Sequence, residues 1–300
     1  MADPVIPAIL HDGPGRTPAG RAWIARLPEL VGRAVERWDL TPGAPYTSGA
    51  SSWCAPVLRA DGSHAVLKIS LPHDEARAEA VALRAWHGRG APALLDADPA
   101  DWALLLERVE PGTMLSLAPG SAQDRLERAA AVARVLWAVP EVPEVPVMAD
   151  VCARWADVLE ERADRHDIDR ALVRRAADLL RTLPGTAASL VHGDFNPGNL
   201  LDAGEGRWLA IDPKPMRGDP AYDLWPLLEQ VDDPFAHADP VAVLRARVRT
   251  VAGDLDADRI AAWGFARSTE SAFWVWDVLD DEPVARSILE QAALWARLAG

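Results

Sequence analysis

Apolar residues recur at helical spacing over residues 22–38, where Trp23, Ile24, Leu27, Leu30, Val31 and Ala34 share one face, so an amphipathic helix is predicted there. A stretch rich in Gly, Pro and Ser follows over 41–52. Residues 53–59 and 65–69 have strand character, and the Asp61-Gly62 between them marks a hairpin. Residues 74–87 read as a helix and 102–107 as a buried strand, which Glu110-Pro111-Gly112 breaks. This order describes a small α+β lobe over residues 1–110. From there to residue 300 the pattern turns helical, with 3.6-residue periodicity over 121–138, 150–164 and 168–183. Residues 140–146 form a stiff proline-rich connector, and a short β island spans 189–211 before helices return near 220. The cleft between two such lobes is the expected ligand site.

The composition, 49% hydrophobic and 25% charged, fits a globular chain and excludes a disordered one. Forty-five acids against 31 bases leave a net charge of −14, which argues against nucleic acid or an anionic membrane surface as partner and suits a cationic one. No segment reads as membrane-spanning. Cys54 and Cys152 form no CxxC pair, and no basic segment leads into an apolar one near Met1, so a reduced, cytoplasmic protein is expected. The chain is taken as a monomer.

Arginine supplies all but two of the 31 bases; the two lysines are Lys68 and Lys214, and the two asparagines are Asn196 and Asn199. Both asparagines fall in His192-Gly193-Asp194-Phe195-Asn196-Pro197-Gly198-Asn199, upstream of Ile211-Asp212-Pro213 at the end of an apolar strand. An Asp, an Asn five residues on and an Asp after a strand–turn–strand form the set that kinase-type phosphoryl transfer needs. Asp194 can accept the proton of a substrate hydroxyl. Asn199 and Asp212 can hold Mg²⁺, a hard cation that takes its other ligands from phosphates and water. Asn196 has a turn-forming and a catalytic reading, both open. His192 is expected to be a buried residue that fixes the loop, Asp219 to cap the next helix, and Asp223 to tie that helix to the loop.

The stretches LVHGDFNPGNLL and WLAIDPKPMRGDPAYDLWPLL resemble the aminoglycoside phosphotransferase superfamily, and within it the aminoglycoside/hydroxyurea resistance kinase branch. ADGSHAVLKIS, EARAEAVALRAWHGRGA and WALLLERVEPGT are similar to the same branch, so the resemblance covers nearly all of residues 20–298. It implies a bilobal, protein-kinase-like α+β fold and transfer of the ATP γ-phosphate to a hydroxyl of a cationic, streptomycin-like aminoglycoside. Within it Asp194 is the base, Asn199 and Asp212 bind Mg²⁺, and Lys68 grips the α/β-phosphates as a compact point charge. Glu79 is preferred to Glu75 as the acidic partner of Lys68, because Glu75 sits in the first turn, where acids simply favour the helix dipole.

No Walker loop or GxGxxG motif is present. Ser51 and Ser52, closing Ser48-Gly49-Ala50-Ser51-Ser52, stand where backbone amides could cap phosphates, and Glu107 and Val109 bound the expected adenine hinge. Lys214 could reach phosphate or pair with a carboxylate. A helix starting near Asp256 would carry Glu270, Trp274, Asp277 and Asp281 on one face, an acidic and aromatic stripe suited to a cationic acceptor. Two alternatives are a kinase of hydroxyurea or another small hydroxyl compound, and a nucleotide-binding sensor without catalysis.

Overall fold

A computed structural model describes residues 4–47, 49, 51–139, 142–185 and 189–299, with backbone alone at Asp74 and Glu75. The chain divides into two compact units, Met1–Glu110 and Pro111–Gly300.

The first unit opens with α1 (Ala8–Asp12) and the long α2 (Pro18–Trp38). α2 starts earlier than its apolar spacing alone predicts because Thr17 caps it, accepting from the Gly20 N–H at 3.0 Å, while Pro18 takes the first helical position, where no N–H is needed. Then come β1 (Leu40–Pro42), β2 (Ser52–Arg59), β3 (His64–Ser70), α3 (Asp74–Trp86), β4 (Leu94–Asp98) and β5 (Ala103–Glu107). The strands form one antiparallel sheet in the order β1-β2-β3-β5-β4. Gly62 takes φ 81° in the hairpin turn, and Asp61 closes it by accepting from the Ser63 N–H at 2.9 Å.

Side chains alternate across a strand, so one face of this sheet carries Trp53, Ala55, Val57, Ala65, Leu67, Ile69, Ala103 and Leu105. These pack on Trp23, Ile24, Leu27, Leu30, Val31 and Ala34 of α2 and form the core of the unit. Alternation then sends Lys68 to the opposite face, directly across from Cys54.

The second unit contains α4 (Ala122–Trp137), α5 (Met148–Ala163), α6 (Arg170–Thr182), β6 (Ser189–Val191), β7 (Leu200–Asp202), β8 (Trp208–Ala210), β9 (Met216–Gly218), α7 (Leu224–Gln230), α8 (Pro240–Ala252), α9 (Ala257–Leu279) and α10 (Glu282–Ala296). The expected connector over 140–146 lies partly outside the described residues, at Pro140 and Glu141. Its end is docked: the Pro146 carbonyl accepts from the Arg217 N–H at 2.9 Å. The expected β island resolves into two separate ladders, β6 with β9 and β7 with β8. α9 is largely buried, and α10 lies close against it because Gly264 leaves room for the Trp295 ring, which a β-carbon would approach to 2.5 Å.

Candidate active site

The two ladders are nested in sequence, and that nesting builds the site. Val191 ends β6 beside Met216 at the start of β9, and Leu200 starts β7 beside Ala210 at the end of β8. The connections 192–199 and 211–215 must therefore run side by side. Two backbone hydrogen bonds lock them, Lys214 N–H to the His192 carbonyl at 2.9 Å and Ile211 N–H to the Asn199 carbonyl at 2.8 Å. Residues from two distant stretches of sequence thus meet at one end of a small scaffold.

Asp194 is at the centre. Its Oδ1 accepts from the Asn196 side-chain amide at 2.9 Å, and its Oδ2 lies 3.2 Å from the Lys214 ammonium. Asn196 shapes the turn, its Oδ1 accepting from the N–H groups of Gly198 (2.9 Å) and Asn199 (3.2 Å), and its amide nitrogen donates to Asp194. The Asn199 amide nitrogen donates to the Asp194 carbonyl at 3.0 Å, which turns its Oδ1 the other way as a hard oxygen donor. Asp212, at φ 55°, follows Ile211 on the neighbouring connection. Among the described residues no three His, Cys, Asp or Glu side chains converge as a metal site. The oxygens of Asn199 and Asp212 fit a cation that takes most of its ligands from phosphate and water.

Beneath the loop, His192 is fully buried, and burial pushes its pKa below the usual imidazole range. Its Nδ1 accepts from the Asp194 N–H at 3.3 Å, so the proton of the neutral ring sits on Nε2 and is donated to the Ile211 carbonyl at 3.1 Å. His192 is a strut, as expected. Asp223 accepts three donors, the N–H groups of His192 and Gly193 and the Trp137 indole, each at 2.8 Å. Asp219 caps the turn at Pro220–Asp223 through the Ala221 N–H (3.1 Å) and also accepts from Arg259 (2.5 Å) and Trp263 (2.7 Å).

In the first unit the Lys68 ammonium meets both Glu79 oxygens, at 2.7 and 2.8 Å. The pair is buried, and Glu79 is the partner; the Glu75 side chain lies outside the described residues. Ser52 begins β2 on the Lys68 face, and the Ser51 carbonyl accepts from the Leu71 N–H at 2.9 Å. Ser48 and Ala50 lie outside the described residues. At the expected hinge, Glu107 bonds to Ala93. The Glu107 N–H donates to the Ala93 carbonyl and its Oε2 accepts from the Ala93 N–H, both at 2.9 Å, so that amide is spent within the unit. Val109 is half-buried just beyond.

Residues 37–278 match the family of aminoglycoside/hydroxyurea antibiotic resistance kinases. The chain belongs to that family. It is 38% identical over 264 residues to a streptomycin 6-kinase of Streptomyces glaucescens, covering 85% of each chain. It is 35% identical over 268 residues to a hydroxyurea phosphotransferase of Kitasatospora aureofaciens, covering 88% of this chain and 77% of the relative. Among solved structures, choline kinase LicA from Streptococcus pneumoniae superposes with a TM-score of 0.66 at 14% identity, covering 90% of this chain and 98% of LicA. This kinase has the two-lobed, protein-kinase-like α+β fold and is an ATP-dependent phosphotransferase. Among its described residues no helix is long and apolar enough to cross a membrane.

The expected acceptor stripe on α9 is not what the kinase displays. Glu270 is buried under Arg267 (2.7 Å) and Arg162 (3.8 Å), and the Arg267 guanidinium lies 3.8 Å over the Trp155 ring. Asp277 is paired with Arg165 (2.9 Å) and His166 (2.7 Å). Asp281 lies beyond α9 and caps α10 through the Val284 N–H at 3.1 Å. Only Trp274 stands exposed. Arg267 of the same helix and Arg162 of α5 pair with Glu270, while Arg165 and His166 after α5 hold Asp277, and the spacing of the acids along one helix could not disclose these partners.

Proposed function

We propose that this kinase transfers the γ-phosphoryl group of Mg·ATP to a hydroxyl of a streptomycin-like aminoglycoside, inactivating the antibiotic. The convergence of Asn196 and Lys214 on Asp194, beside the turned-out oxygen of Asn199, carries this reading. Asp194 accepts the proton of the acceptor hydroxyl as that oxygen bonds to the γ-phosphorus. The bond from the γ-phosphorus to the β,γ-bridging oxygen breaks, and ADP leaves. Asn199 and Asp212 would hold Mg²⁺, whose charge when bound offsets that of the phosphates. Lys68, held by Glu79, supplies its ammonium to the α- and β-phosphates.

A net charge of −14 favours a polycationic acceptor such as streptomycin over neutral hydroxyurea. The 35% identity to a hydroxyurea phosphotransferase supports a second reading, in which the same site takes that smaller acceptor. Cys54 and Cys152 are not joined in a disulfide, which suits the reducing, ATP-rich cytoplasm. The test is to incubate purified enzyme and Mg·ATP with streptomycin or with hydroxyurea, following ADP release and locating the phosphate by phosphorus NMR. Phosphorylated streptomycin is expected; turnover with hydroxyurea alone would replace the first reading by the second.

A further inference from the structure

We propose that Lys214 is the γ-phosphate-binding cation of this kinase: its ammonium rests on Asp194 in the free enzyme and moves to the γ-phosphoryl oxygens when Mg·ATP binds. This rests on the phosphotransferase reading above but not on the identity of the acceptor.

The argument begins with distance. An acceptor hydroxyl must hydrogen-bond the Asp194 carboxylate at about 2.6–3.2 Å for its proton to be taken. The same oxygen forms the new bond to the γ-phosphorus. The Lys214 ammonium, 3.2 Å from Asp194 Oδ2, is thus one short reach from the equatorial phosphoryl oxygens, where positive charge stabilises transfer.

The root of the side chain is fixed by the backbone. The Lys214 N–H donates to the His192 carbonyl at 2.9 Å, and Gly193 has no β-carbon to push the Lys214 carbonyl away. The Lys214 side chain is 46% exposed, whereas that of Lys68 is 7% exposed and clamped by Glu79. The two lysines of the chain therefore differ in setting: Lys68 is buried against Glu79, and Lys214 reaches Asp194 on a half-exposed side chain from a fixed backbone.

Asp194 does not depend on Lys214 for its orientation, because Asn196 already holds Oδ1. When the ammonium moves to phosphate, Oδ2 is released to receive the hydroxyl proton. The residue type fits this exchange. An arginine would form a planar, bidentate pair with the carboxylate and stay there, whereas an ammonium makes single contacts that it can trade. In a chain that uses arginine for 29 of its 31 bases, counting all but Lys68 and Lys214, lysine stands at this position.

The experiment is calorimetric binding of ADP and of AMP-PNP, each with Mg²⁺ and no acceptor, to wild type, Lys214→Met and Lys214→Arg, with melting curves to show that each variant is folded. Lys214→Met keeps the apolar stem and should lose about tenfold or more in AMP-PNP affinity, as expected for a charge-assisted hydrogen bond, with ADP affinity within about twofold of wild type. Lys214→Arg, which keeps the charge, should fall between. Equal weakening of both nucleotides, or no change in either, overturns the proposal and leaves Lys214 as a positioning partner of Asp194. With no acceptor present, this outcome is independent of whether streptomycin is phosphorylated.

Discussion

The carbonyl oxygen of Lys214 lies 1.9 Å from where a β-carbon on Gly193 would stand, and Gly193 itself takes φ 83°. Both facts demand glycine, one because the left-handed region disfavours a side chain and the other because the obstacle is backbone that cannot rotate away. Gly193→Ala should therefore separate the two connections that carry Asp194 and Lys214. The expected result is a destabilisation of about 2–4 kcal/mol by chemical denaturation and at least a hundredfold loss of kcat, consistent with known costs of backbone strain and misplacement of reacting groups.

Asp223 acts through the loop and touches none of the reacting groups. Replacing it with Asn turns one of its acceptor oxygens into a donor facing N–H groups of His192, Gly193 or Trp137. Asp223→Asn is expected to cost about 2–4 kcal/mol of stability and to lower kcat, because an unsatisfied buried donor carries its full desolvation penalty. The KM for ATP should change less than kcat, since Lys68 and Glu79 are untouched. An unchanged kcat in a folded variant would show that Asp223 does not hold the loop.

The Lys68–Glu79 pair is buried, so its members are not equivalent to a surface ion pair. Glu79→Ala leaves an ammonium without its buried counter-charge and is expected to destabilise the fold by about 3–5 kcal/mol. Lys68→Ala should weaken ATP binding and turnover together. Differential scanning fluorimetry with and without Mg·ATP distinguishes the two, because ligand stabilisation should disappear in Lys68→Ala.

Local chemistry made much of the first unit legible: the Asp61-Gly62 turn and the alternation of Trp53, Ala55 and Val57 identify the hairpin, and the position of Glu79 deeper in its helix singled it out over Glu75. β1 was not legible because three residues carry no period, and a register shift between Leu94 and Asp96 breaks the alternation of β4. In the second unit, the grouping of Asp194, Asn199 and Asp212 was legible from spacing because they lie on two short connections that run side by side. The stripe from Glu270 to Asp281 could not be judged that way. Glu270 pairs with Arg267 on its own helix and with Arg162, and Asp277 with Arg165 and His166; the last three lie about a hundred residues away in sequence, and only the packing of helices brings them in. The reason for Gly193 was hidden as well, since the atom that excludes a side chain belongs to Lys214 on the neighbouring connection.

Glu229 offers a pH signature separate from catalysis. Its Oε1 accepts from Ser268 (2.5 Å) and Trp295 (2.7 Å), yet burial pushes its pKa up to about 7 despite those bonds and the nearby Arg267. A raised carboxyl pKa in the folded state favours folding below the ordinary glutamate range, and that contribution is lost as pH rises to and through 7. Glu229→Gln keeps an acceptor for both donors and cannot ionise. Relative to this variant, wild type should lose about 3 kcal/mol between pH 4.5 and 8 in urea unfolding, the value that such a shift implies. A difference that stays flat across this range would show that Glu229 is ionised throughout.

The most direct test of the catalytic arrangement is turnover of streptomycin with Mg·ATP by wild type and Asp194→Ala, read by phosphorus NMR alongside calorimetric binding of AMP-PNP. Wild type is expected to yield a phosphorylated product, while Asp194→Ala binds the nucleotide with near wild-type affinity and loses at least a hundredfold in rate, as removal of a general base requires. Equal rates for the two proteins would contradict the account.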